Sequence, residues 1–90
     1  MTKKEWLEKH DYENVTPKPP FFSIKYKKCL DEEEGVYAVI SFNHDCRDEW
    51  KYYIESDYGF DFFDEQDLDQ LRVYLDIVKK DFEDMIKESE

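Results

Sequence analysis

From Leu68 onward the apolar residues recur at alternating steps of three and four: Leu68, Leu71, Leu75, Val78, Phe82 and Met85. That period is the mark of one face of an α-helix. The spacing predicts a helix from Asp64 to Glu88. Asp64 is placed as its N-cap, and Asp67 at the third helical position meets the positive end of the helix dipole. Phe63 and Leu68 have the spacing of a hydrophobic staple across that start. Asp76 with Lys80, and Glu83 with Lys87, stand four apart in the favourable order. A single apolar stripe of this length has to be buried against another layer, and the rest of the chain must supply it.

Three segments alternate apolar and polar residues, the signature of half-buried strands. They are Phe22 to Lys27, Val36 to Phe42 and Glu49 to Glu55. Asp31-Glu32-Glu33-Glu34-Gly35 reads as the first turn and Asn43 to Asp48 as the second. Short links favour antiparallel neighbours, so residues 21–56 form a three-stranded meander. Val36, Ala38, Ile40 and Phe42 lie on one face of the second strand, and Trp50, Tyr52 and Ile54 on one face of the third. The opposite face carries Lys25, Lys27, Cys29, Tyr37, Val39, Ser41, Lys51, Tyr53 and Glu55. This mixed surface is expected to meet water, the N-terminal helix or a partner.

Ahead of the sheet, Thr2-Lys3-Lys4-Glu5 has the form of a capping box. It starts a short helix ending near His10, with Trp6 and Leu7 as its apolar contacts. So short a helix must dock on something to persist. Pro17, Pro19 and Pro20 then impose an extended connector. The expected fold is α+β within one domain of 90 residues: a short N-terminal helix, a three-stranded antiparallel meander, and a long amphipathic helix across the sheet's apolar face. Aromatics make up 18% of the chain, enough to fill a small core.

Charge is distributed unevenly. Residues 1–30 carry a net +3 and residues 31–90 a net −14, giving −11 for the chain. Such a field repels nucleic acid and anionic membranes and attracts basic surfaces. A meander brings its first turn and the end of its third strand to the same end of the sheet. That end should gather Asp31, Glu32, Glu33 and Glu34 with Glu55, Asp57, Asp61, Asp64, Glu65, Asp67 and Asp69, partly offset by Lys27 and Lys28. Tyr58 and Phe60 lie among these acids, followed by Phe62. Exposed rings there would anchor a partner; buried ones would plug the core where sheet meets helix.

Other chemistry finds little support. The acids from Asp57 to Asp69 lack EF-hand spacing. Cys29 and Cys46 are expected at opposite ends of the sheet, too far apart to share a metal or a disulfide. His44-Asp45-Cys46 reads as a polar turn, since catalytic triads assemble from separated segments. No catalytic residue, metal site or cofactor is expected, and the chain is read as a binding protein rather than an enzyme. It has no apolar run near the ~20 residues that span a bilayer, and no apolar stretch follows Lys3 and Lys4 as in a secretory signal. Free thiols then fit a cytoplasmic protein.

In size, acidity and aromatic content the chain is similar to phage-encoded inhibitors of host defence enzymes and to other DNA mimics, a likeness that no motif carries. It implies steric occupation of a basic, nucleic-acid-binding surface on another protein by Asp31–Glu34 and the segment from Glu55 to Asp69. An immunity or antitoxin protein neutralising a basic toxin would use the same physics. A structural or assembly module, monomer or homodimer, is the alternative. For it Val73 and Ile77, off the main helical stripe, either pack under Trp6 and Leu7 or make a dimer contact.

Overall fold

The computed structural model describes residues 1–16, 23–43, 49–57 and 65–89. The elements are α1 (Lys3–Lys9), β1 (Glu13–Asn14), β2 (Ser23–Asp31), β3 (Val36–Asn43), β4 (Glu49–Ser56) and α2 (Glu65–Glu88). The fold is α+β, with α2 lying along β3 and β4. The sheet has four antiparallel strands in the order β1-β2-β3-β4, one more than expected. The connector Pro17 to Pro20, Phe22 and the turn from His44 to Asp48 lie outside the described residues.

α1 begins at the expected capping box. The Thr2 hydroxyl accepts from the Glu5 amide at 3.1 Å, and the Glu5 carboxylate accepts from the Thr2 amide at 3.3 Å. Its far end explains the added strand. Asp11 sits at φ 68°, in the left-handed region, and the Tyr12 amide reaches back to the Leu7 carbonyl at 3.0 Å. This is a Schellman-type stop with aspartate where glycine is usual. It turns the chain sharply, sends the Tyr12 ring into the core and lays β1 against β2, Glu13 opposite Lys27.

Trp6, Leu7, Tyr12, Tyr26, Ala38, Ile40, Val78 and Met85 form one buried cluster. α1 therefore docks on α2 on the same side of the sheet, leaving the opposite face uncovered by any described helix. The Trp6 indole donates to Glu88 at 2.6 Å, and the Tyr12 hydroxyl donates to Asp81 at 2.8 Å. His10 closes α1 by stacking on Trp6, ring centroids 3.8 Å apart, while its Nδ1 donates to the Trp6 carbonyl at 2.8 Å.

The buried face of α2 is rotated from the expected stripe. Val78, Phe82 and Met85 do face the sheet, and Phe82 packs on Tyr52 with centroids 4.9 Å apart. Leu68 and Leu75 instead remain 44% and 42% exposed. Tyr74 and Asp81 take the inward flank because their polar ends find partners there: Asp31 for one, Tyr12 for the other. Val73 and Ile77 do not pack under Trp6 and Leu7. Both stand exposed, on the side of α2 away from the sheet.

Candidate functional site: the acidic end of the sheet

The turn between β2 and β3 is built around Asp31. Its Oδ1 accepts from the Glu34 amide at 3.2 Å, and its Oδ2 accepts from the Tyr74 hydroxyl at 2.9 Å. Those two donors, the Glu34 amide foremost, hold its carboxyl below the usual carboxylate range. Glu32, Glu33 and Glu34 project into solvent.

Gly35 ends the turn at φ 61°, a conformation that glycine adopts without penalty. A second constraint acts on the same position. A Cβ there would lie 2.7 Å from Asp57 Oδ2 and 3.0 Å from Asp57 Cβ. The bare Cα lets Asp57 fold against the turn. Its amide donates to the Gly35 carbonyl at 2.9 Å, and its Oδ2 accepts from the Tyr37 hydroxyl at 3.0 Å. The Asp57 carboxylate, in turn, pushes the Tyr37 phenol up.

The first turn, the end of β4 and the N-terminal half of α2 thus meet at one end of the sheet. Asp31 to Glu34 and Asp57 are brought together there. Asp69 is exposed on α2 beside the equally exposed Arg72 at 3.5 Å, a contact of little energetic weight. Tyr58, Phe60, Asp61, Phe62, Phe63 and Asp64 lie outside the described residues. Glu65 and Asp67 fall in the first turn of α2, where only the backbone is described.

Glu55 stands apart from this group. Odd-numbered residues of β4 face the open side of the sheet, and there Glu55 takes Lys25 at 2.8 Å and Lys27 at 2.5 Å. Lys25 first, then Lys27, keep its carboxyl below the ordinary range, while Glu55 holds the Lys25 ammonium above its own. Lys28, on the other face, lies 3.7 Å from Asp81 and over the Tyr12 ring. Of the two lysines expected to offset the acidic end, Lys27 is held by Glu55 and Lys28 lies beside Asp81.

Sequence reasoning missed Tyr12, Tyr74 and Asp81 as organising residues. Alternation places Glu55 on the same face as Lys25 and Lys27, but it does not foretell the ion pairs that reach across β3 from β2 to β4. Among the described residues no three His, Cys, Asp or Glu side chains gather as metal ligands, and no helix is long and apolar enough to cross a membrane. Compared with known proteins, the chain matches no family model, no curated protein and no solved structure at a significant level.

Proposed function

We propose that this protein binds a basic surface of another protein through its acidic end, occupying a groove that otherwise holds nucleic acid. One observation carries the reading. The Asp57–Gly35 and Tyr74–Asp31 hydrogen bonds join three acidic segments at one end of the sheet, with Glu32, Glu33 and Glu34 directed into solvent. A rigid row of carboxylates can stand in for the phosphates of a nucleic-acid strand, and its field speeds encounter with a basic partner. The action is steric, as in an inhibitor of a nucleic-acid enzyme, and needs no catalytic group. A phage-encoded anti-defence protein is the setting that size and acidity favour. The exposed Cys29 thiol supports a reducing, cytoplasmic one.

Affinity capture from the native host's lysate at low salt, read by mass spectrometry, should recover a basic nucleic-acid-binding protein. Its affinity should fall by at least tenfold between 50 and 500 mM NaCl, as about 1.4 kcal/mol of screened attraction requires. Reversal of Glu32, Glu33 and Glu34 together to lysine should abolish capture. A partner retained at high salt and indifferent to that triple reversal would sink the proposal.

A further inference from the structure

The two edges of the sheet are treated differently. On one side β1 shields β2, the Val15 amide donates to the Lys25 carbonyl at 2.8 Å, and β2 carries an irregularity between Cys29 and Asp31. On the other side β4 pairs, among the described residues, with β3 alone, and without register shift over Glu49–Ser56. It contains no proline. A straight edge of this length is a template for another strand.

The direction of its backbone groups follows from the register. The Asp57 amide bonds to Gly35, and hydrogen-bonded pairs recur at every second residue of an antiparallel ladder. Tyr37–Glu55, Val39–Tyr53 and Ser41–Lys51 are therefore the hydrogen-bonded pairs between β3 and β4. The peptide groups of Trp50, Tyr52 and Ile54 point the other way, off the edge of the sheet.

We infer that β4 pairs with β4 of a second copy of this chain, antiparallel and centred on Tyr53. Charge and the length of strand paired together select that register. With Tyr53 opposite Tyr53 of the second copy, Lys51 lies opposite the second copy's Glu55, and the reciprocal pair forms across the two-fold axis. Centring on Tyr52 would set Glu49 against the second copy's Glu55, and centring on Lys51 would set two lysines face to face. Within Glu49–Ser56 the Tyr53 register pairs nearly the whole strand with no like charges opposed, Tyr52 opposite the second copy's Ile54 twice over, and only beyond its ends does Glu49 meet the second copy's Asp57. The Lys51 and Glu55 positions then form non-hydrogen-bonded pairs, where side chains stand closest.

The helix above agrees with this occupant. Leu68, Leu75, Phe82 and Ile86 fall along one line of α2 at 100° per residue. Phe82 is the member that touches Tyr52 on β4. Its neighbours Leu68, Leu75 and Ile86 are exposed, on the flank of α2 that Phe82 turns toward β4. Two-fold pairing of β4 places the two α2 helices about 10 Å apart across the strand joint, near the spacing at which helices pack. The surface is distinct from the acidic end, so the dimer stands or falls independently of the proposed partner.

Sedimentation equilibrium of the full chain from 1 µM to 1 mM should show a mass rising to twice 11.1 kDa. Lys51 is exposed, so Lys51→Glu should leave the monomer's melting intact and weaken the dimer at least tenfold. In a Cys29→Ser, Cys46→Ser background, Tyr53→Cys should cross-link to its own copy under mild oxidation, and Lys51→Cys should not. Reversal of Glu32, Glu33 and Glu34 to lysine should leave the mass unchanged. A monomer at 1 mM would overturn the inference, as would a dimer that ignores Lys51→Glu and is not trapped by Tyr53→Cys.

Discussion

Ile40 and Val39 are neighbours on β3, and both are sealed from water at 0% exposure, one on each face of the sheet. Ile40 is sealed by an apolar layer of Tyr26, Val78 and Met85 beneath α1 and α2. Val39 has no described helix over it. It lies between Lys27 and Tyr53 in the ladder, and the Lys25–Glu55 pair runs diagonally above it. Lys27 also reaches Glu55 and lies 4.2 Å from the centroid of the Tyr37 ring. The long lysine stems are apolar, and the carboxylate pins their ends. Hydrophobic burial on one face depends on fixed shape. On the other it depends on charges that hold flexible stems in place.

The two kinds of cover should respond differently to mutation. Met85→Ala should cost about 2–5 kcal/mol in urea unfolding, little changed by salt, because the cavity it leaves is ringed by fixed neighbours. A loss under about 1 kcal/mol would mean that α2 is loosely docked. Val39→Ala should cost less, about 1–2 kcal/mol, because lysine stems can settle into the space. An equal loss at the two sites would remove the distinction between a rigid and an adaptable cover.

Glu55→Gln should cost about 0.5–1 kcal/mol at low ionic strength, shrinking in 1 M NaCl. Its pH signature is more telling. The folded protein holds the Glu55 carboxyl below its ordinary value, so the stability it contributes is present above that value and fades as pH falls through the lower, folded one. Lys25 is held above its ordinary value, so its share is complete below that value and fades only as pH climbs through the higher, folded one. The open face is thus best sealed across the neutral range. The glutamine variant should show a flatter acid limb below about pH 4.3, where an ordinary glutamate titrates. An acid limb identical to that of the parent chain would show that the lid contributes nothing. Least of all should change with Val73→Asp or Ile77→Asp, each within about ±0.5 kcal/mol, since neither side chain lies against the sheet. A larger loss at either would mean that the outer face of α2 is covered.

Much of this architecture is written locally in the chain. The capping box fixed the start of α1, alternation fixed the central strands, and the three-four period fixed the extent of α2. What was hidden depends on polar atoms that are buried by pairing. A stripe drawn from apolar residues alone takes in Leu68 and Leu75 at its edge, while the structure turns α2 toward Tyr74 and Asp81, whose partners lie 43 and 69 residues away. β1 was hidden because Asp11 takes a turn conformation that glycine usually announces. The candidate site was legible where topology alone decides it, as with the nearness of Asp31–Glu34 to Asp57. Strand parity likewise puts Glu55 on the face of Lys25 and Lys27, but the ion pairs that hold it there depend on side-chain reach across β3, which parity does not give.

The Trp6–Glu88 hydrogen bond joins residues 82 apart in the chain. Contacts within the meander need only short loops to close, whereas this one must gather nearly the whole chain and lose the corresponding freedom. α1 is therefore expected to join a sheet and helix that have already formed, and Trp6 reports the last step of assembly rather than the first. Its fluorescence, followed with Trp50→Phe to isolate it, should lag the appearance of sheet and helix during refolding. Mutations around Trp6 should then speed unfolding more than they slow folding.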